Sequence, residues 1–316
     1  MKLYNLAVAL LATGVMACAQ NPQANAQSVE EFAIDSPAGY TLAGEIQYPD
    51  QIVAPGPAIV LISGSGAQDR DAAVDALGYS AHRQWRDILN AAGFAVITYD
   101  ETGTGQSGGE WTEMGLEEHR DNALATIALA RRDQRINPDQ IYALGHSEGG
   151  LIISMMSIAD AEIAGLVYVA APCADLQDVI DYQTAEMARA QISDESEFEA
   201  AQAEMRVRFM QMLNNAASLR DGLRFDALEL AQSVQAPSIV IQGLSDWQVR
   251  AEQATALGQA LQASGYPVEI ALFGDVNHFL VNDPTHSQDY SELTDMTLDT
   301  RLSERVVDWL SDQTAE

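Results

Sequence analysis

Leu144-Gly145-His146-Ser147-Glu148-Gly149-Gly150 lies between two apolar stretches of different character, and its reading decides the fold. Before it, Gln140-Ile141-Tyr142-Ala143-Leu144 is short and strand-like; after it, Leu151-Ile152-Ile153-Ser154-Met155-Met156-Ser157-Ile158-Ala159 is long and apolar enough for a buried helix. Ser147 then sits on a turn between strand and helix. Gly145 and Gly149 are what such a turn requires: the backbone is strained at the serine, and strand and helix approach too closely for side chains to fit. The stretch therefore reads as a nucleophile elbow. The bare pattern Gly-x-Ser-x-Gly also occurs in ordinary glycine-rich loops, so the flanking elements and the partners downstream carry the argument.

Outward from the elbow, the chain keeps a βαβ rhythm. Upstream, Phe32-Ala33-Ile34-Asp35 and Thr41 to Tyr48 alternate around the turn Ser36-Pro37-Ala38-Gly39, which predicts an antiparallel hairpin at one edge of a sheet. Ala58-Ile59-Val60-Leu61-Ile62 is apolar without alternation, as expected of a strand covered on both faces. A helix over 80–92 stacks Trp85, Ile88 and Leu89, and the strand Phe94 to Tyr99 follows. Asp100 to Gly109 is glycine-rich but lacks the Gly-Lys-Ser/Thr ending and the dinucleotide spacing, so it reads as a tight loop and not a phosphate cradle. A helix over 116–133 points Leu124, Ile127 and Ala128 inward and stops at Asn137-Pro138.

Downstream, Ile163 to Ala170 is the next buried strand, after which the rhythm breaks for about sixty residues rich in Ala, Glu, Gln, Met and Arg. Phe198, Ala201, Met205, Phe209 and Met212 recur there at helical spacing, so helices are expected, with the methionines as packing. The rhythm resumes with strand 238–242, helix 251–263, strand 268–273 and a final helix 301–311. The organisation expected is an α/β core of residues 30–173 and 235–316 interrupted by a helical cap at 174–234.

At 316 residues, with 47% hydrophobic and 20% charged content, the chain is long enough for one large α/β domain with a sizeable core. Its net charge of -30, with Lys2 the only lysine, speaks against nucleic acid, which needs clustered Lys and Arg. Residues 1–19 are laid out as a secretory signal, with Lys2, then Leu6 to Ala12, then small residues around Cys18. Val15-Met16-Ala17-Cys18 resembles a bacterial lipobox, with methionine off the usual pattern at its second position. Export is expected, to the periplasm or to a membrane surface through lipidated Cys18, with residues 20–29 as a tether. Cys173 is left without a partner, so no structural disulfide is expected.

A serine hydroxyl needs a base to take its proton, and the base needs a third group to hold its tautomer. Asp246, in Gly243-Leu244-Ser245-Asp246, follows one strand, and His278, in Gly274-Asp275-Val276-Asn277-His278, follows the next. Strand ends on one rim of a parallel sheet converge, so both are expected beside Ser147. Asp175 and Asp275 compete for the acid, but Asp175 opens the cap and Asp275 is too near His278 for a buried partner. His82 and His119 fall on helices, His146 is a spacer in the elbow, and His286 lies in a polar loop. For the oxyanion, the amide of Glu148 follows the nucleophile, and Ser63-Gly64-Ser65-Gly66 offers the amide of Ser65, with Gly64 the alternative.

With these residues in place the chain resembles bacterial serine carboxylesterases of the α/β-hydrolase fold, over roughly residues 30 to 316. The most specific likeness is Gly-Ser-Gly-x-x-Asp-Arg-Asp, matched by Gly64-Ser65-Gly66-Ala67-Gln68-Asp69-Arg70-Asp71. One departure is Thr102, where relatives show arginine in Asp-x-Arg-Gly-x-Gly-x-Ser. The resemblance implies a mostly parallel sheet with helices on both faces, and hydrolysis of a small-molecule ester through an acyl-enzyme, without metal or organic cofactor. A peptidase, aminopeptidase or thioesterase on the same triad is the alternative. A non-catalytic lipoprotein that binds a ligand at the surface is the alternative of another class.

Overall fold

The computed structural model describes residues 28–50, 54–222 and 224–315, the side chains of 212–214 excepted. The expected leader and Cys18 lie outside the described residues.

β1 (Ser28–Asp35) and β2 (Thr41–Tyr48) form the expected hairpin, which begins at Ser28, two residues inside the stretch read as a tether. β3 (Gly56–Ile62) leads into a loop that carries a small antiparallel ribbon, β4 (Ala73–Val74) with β5 (Tyr79–Ser80), which the sequence pattern did not reveal. α1 (Ala81–Ala91), β6 (Ala95–Tyr99), α2 (Leu116–Ala130), β7 (Ile136–His146), α3 (Glu148–Ala159) and β8 (Gly165–Val169) continue the alternation. Four helices interrupt it: α4 (Leu176–Arg189), α5 (Phe198–Asn214), α6 (Ala217–Asp221) and α7 (Ala227–Gln232). β9 (Ser238–Gly243), α8 (Ala251–Ala263), β10 (Val268–Phe273) and α9 (Thr300–Ala315) complete the chain.

The main sheet has eight strands in the order β1-β2-β6-β3-β7-β8-β9-β10, parallel from β6 to β10. Alternate residues of each inner strand enter opposite cores, as the two-residue period of a strand demands. Ala58, Val60 and Ile62 join one core with Ile127, Ile153 and Leu257, from α2, α3 and α8; Ile59 and Leu61 join the other with Trp85, Leu89, Leu302 and Trp309, from α1 and α9. From β3 the chain passes to β6 on one side and then to β7 on the other. That reversal opens a crevice beyond the carboxyl end of β3, where open α/β sheets bind ligands.

Two helix expectations are corrected. α2 ends at Ala130, and Pro138 lies within β7, where pairing with β3 slips between Gly56 and Ala58 and no ladder N–H is demanded of proline. Ala128 is exposed and Leu124 only half-buried; the inward stripe is Leu116, His119, Ala123, Ile127 and Ala130. Buried polar residues, His119 and Asn122 above all, hide that stripe from an apolar pattern. α7 packs against α3 and α8 in the helical layer of the sheet, while α4 and α6 each pack on α5, and α6 also on α2.

The elbow depends on close approach. A Cβ on Gly149 would lie 2.5 Å from the Ile62 carbonyl oxygen and 2.7 Å from that of Ser63, and one on Gly145 only 2.3 Å from the Gly149 oxygen. Gly149→Ala should therefore lower stability by about 3 kcal/mol or more, as for severe overpacking. Gly274→Ala, whose Cβ meets nothing within 4 Å, is the control in the same denaturation series and should change little.

Candidate active site

Ser147 has φ 54 and ψ -122, a backbone state that only the surrounding packing sustains. Its N–H donates to the Val169 carbonyl at 2.9 Å, which fixes the turn to the end of β8. The side chain faces a cavity of about 500 Å³ that His278 also lines. The first residues of α3 have backbone N–H groups without helical partners, and the amide of Glu148 is the first of these. The Ser63–Gly66 loop lies against Ser147: a Cβ on Gly64 would be 3.0 Å from Ser147 Cβ.

His278 is buried, and its Nδ1 lies 2.8 Å from Asp246 Oδ2. Asp246 is held from all sides. Its Oδ2 also accepts from Gln242 Nε2 at 3.0 Å, and its Oδ1 accepts from the amides of Gln248 at 2.8 Å and Val249 at 2.9 Å. Those bonds leave the carboxylate one orientation, facing the imidazole. The rivals are placed elsewhere. Asp275 has a side chain 55% exposed, 3.6 Å from His286, and Asp175 is exposed at the start of α4. The structure thus brings Asp246 to His278 and puts His278 and Ser147 on one cavity wall.

Several residues around the site escaped the sequence reading. Gln242, at the end of β9, orients Asp246 and bonds the Val249 carbonyl at 3.1 Å. His146 anchors the next loop: its Nε2 donates to the His278 carbonyl at 2.9 Å, and the two rings pack with centroids 4.8 Å apart. Burial, with the neighbouring His278 adding to it, lowers His146 to about 3, so it stays neutral and keeps that bond. His82, on α1, lines the cavity and burial lowers it to about 4. Gln242 gave a signal as a polar residue closing an apolar strand; His82 and His146, among polar or glycine neighbours, gave none.

The Asp69-Arg70-Asp71 stretch acquires a physical role. Asp69 Oδ1 accepts from the amides of Asp71 and Ala73, closing a turn. Arg70 grips Asp100 through Nε at 3.1 Å and Nη2 at 2.8 Å, and Asp71 pairs with Arg83 and Arg86. Asp100 is the residue that Gly105 must approach, since a Cβ there would lie 2.3 Å from the Asp100 carboxyl carbon. Arg70 therefore joins the loop after β3 to the loop after β6. Thr102, in the arginine position of the resemblance, bonds Tyr40 at 2.5 Å and Asn122 at 3.2 Å instead.

Beside this loop lie a buried carboxyl, Glu101, and a half-buried one, Glu148. Glu101 accepts from the Ser63 hydroxyl and the Gln68 amide, and burial pushes it up to about 8, the charge of Glu148 adding to the shift. Glu148 keeps some surface on the cavity, yet the protein packed around it pushes its carboxyl up to about 7 against hydrogen bonds from Ser65 and Ser218.

Fold and site together define an α/β-hydrolase: a mostly parallel eight-stranded sheet with a serine elbow after one strand and an Asp–His pair after later ones. The model of the prolyl oligopeptidase family matches residues 80–299, and the chain belongs to that family. Among curated proteins it is 23% identical over 288 residues to esterase EstD of Thermotoga maritima, covering 85% of this chain but 65% of EstD. It is 33% identical over 102 residues to the putative carbamate hydrolase RutD of Agrobacterium fabrum, 31% of this chain and 32% of that protein. The chain thus spans less than two thirds of the length of either relative. The Pyrococcus furiosus esterase Pf2001 shares the fold, with TM-score 0.63 and 17% identity over 91% of each chain. So does the α/β-hydrolase GrgF from Penicillium, with TM-score 0.63 and 16% identity over 92% of this chain and 100% of that one.

Glu101 makes a measurable prediction. Its folded-state pKa of about 8 stands above the ordinary 4.5, so between those values the folded state binds more protons than the unfolded one, and stability falls as pH rises. Glu101→Gln abolishes that contribution. The difference in Tm, variant minus wild type, should grow from about pH 5 to about pH 9; a difference independent of pH overturns the assignment.

Proposed function

We propose that this protein is a serine hydrolase that cleaves carboxylic esters through an acyl-enzyme. The observation that carries the reading is the 2.8 Å bond between Asp246 and His278, with His278 lining the same cavity as Ser147. Ser147 Oγ attacks the ester carbonyl while His278 Nε2 takes its proton. Asp246 accepts from His278 Nδ1, holds that tautomer and stabilises the imidazolium. The amides of Glu148 and Ser65 receive the oxyanion, and His278 returns the proton to the departing alkoxide. Water, activated by His278, then releases the acid. The names of EstD and Pf2001 support an ester as substrate.

The region read as a cap, 174–234, contributes Leu176, Val179, Phe209 and Phe225 to the cavity lining, which supports a role in covering the substrate. Met205 is buried away from that lining, and the side chain of Met212 lies outside the described residues. Family membership favours a second reading, a peptidase on the same three residues. Turnover of short-chain p-nitrophenyl esters against aminoacyl-nitroanilides separates the two.

A fluorophosphonate probe should label the protein once, and Ser147→Ala should abolish labelling and lower ester turnover by about 10⁶. Labelling that survives in the variant overturns the assignment. Asp246→Asn keeps the shape but favours the wrong imidazole tautomer, so turnover should fall about 10⁴-fold with the fold intact. Asp175→Asn and Asp275→Asn, assayed beside it on one ester, should cost far less.

A further inference from the structure

The cavity at Ser147 has one charged side chain of its own. Among the described residues that line it there is no arginine, lysine or aspartate, and Glu148 is the one acid. The other titratable groups on the wall are Tyr79 and three histidines: burial raises the Tyr79 phenol and lowers His82 to about 4 and His146 to about 3, and His278 belongs to the triad. Much of the remaining wall is apolar and aromatic, with Trp85, Trp111, Phe209, Phe225 and Phe279. A carboxylate in such a place has no counter-charge within the cavity, and its two serine bonds, from Ser65 and Ser218, satisfy only part of its accepting capacity.

One carboxylate, several aromatic side chains and, among the described lining residues, no arginine or lysine make up the chemistry that recognises an organic cation. A net charge of -30 adds an attractive field for cations at long range. We infer that the preferred substrates are esters bearing an ammonium group, with Glu148 as the counter-charge and the aromatic wall holding the alkyl groups around the nitrogen. This inference rests on the reading of Ser147 as nucleophile and names the substrate class for that site. It also accounts for the glutamate in the elbow, whose backbone amide alone is needed for the oxyanion.

The groups facing Glu148 set the pH behaviour. Glu101 lies below it, His119 is 3.4 Å from Glu101 and lowered by burial to about 4, and α6, which brings Ser218, also carries Arg220 and Asp221. The histidines lowered by burial stay neutral through the neutral range, and His278 serves both members of a matched substrate pair alike.

The test uses two such pairs on the full chain. Butyrylcholine is compared with its carbon isostere, in which a quaternary carbon replaces the nitrogen, and the phenyl ester of trimethylammonio-butanoate is compared with its own carbon isostere. In at least one pair kcat/KM should favour the cation by about ten-fold or more, the low end for a desolvated charge beside aromatic rings. Glu148→Gln should abolish that ratio, whatever it does to turnover itself. If the variant does not fold, the wild-type ratio decides: it should fall as pH drops through about 7, where the Glu148 carboxyl takes up a proton, while the quaternary charge is unchanged. Neutral esters favoured in both pairs, or a cation preference that survives Glu148→Gln or is independent of pH, overturns the inference while leaving Ser147 chemistry standing. Ester hydrolysis that persists in Ser147→Ala, or no hydrolysis of any of the four esters, overturns the proposed function and this inference with it.

Discussion

The contact on which the rest of the structure depends is backbone against backbone, where Gly149 passes beneath the carbonyls of Ile62 and Ser63. It docks the start of α3 on the end of β3 at a distance that admits no side chain. Ser147 is thereby driven to positive φ and projected beyond the sheet, and the loop after β3 lies against its Cβ. One close approach produces the strained serine, the free amide of the first helical residue and a neighbouring loop, the three parts that the proposed mechanism uses. The strain is held by the two cores on either side of the sheet, so site geometry and fold stability are the same constraint.

Around that contact the polar groups form three tethers that fix loops by paired charges and hydrogen bonds. Arg70 ties the loop after β3 to Asp100 after β6, His146 ties the elbow to the loop that carries His278, and Gln242 ties the end of β9 to Asp246. The first two join segments that are remote in sequence but adjacent at the carboxyl rim of the sheet; the third is local and closes the loop after β9. Loops at such a rim gain precision this way without regular structure of their own. The burial that makes the tethers rigid also moves protons: the buried histidines are pushed downward and stay neutral, Glu101 is pushed up to about 8, and Glu148, pushed up to about 7, gains its charge within the neutral range.

Much of this was legible in the chain because it is written in local patterns. The apolar run at Ala58 to Ile62 required a strand covered on both sides; the two-residue alternation at Thr41 to Tyr48 required a hairpin; the glycines of the elbow required a close approach. Less legible was the phase of α2. Its inward face includes His119 and Asn122, polar side chains that only their tertiary neighbours make tolerable, so an apolar count chose Ala128 wrongly. The ribbon of β4 and β5 was hidden for a related reason: two-residue strands have no period to detect.

The sequence by itself determined the order of strands and helices, the place of the turn that exposes Ser147, and the short set of aspartates and histidines that follow strand ends, because periodicity and turn chemistry are properties of neighbouring residues. The sequence also ranked Asp246 ahead of its rivals, but only the tertiary structure shows which of those acids meets His278. Asp246, Asp175 and Asp275 all follow strands, and what separates them is the cage of amides and Gln242 around the first and the exposure of the other two. The tertiary structure alone also gave Arg70 its partner and left Glu148 as the one acid among the described residues that line the cavity. Those facts depend on distances between segments far apart in the chain, and such distances exist only once the sheet has set its strands side by side.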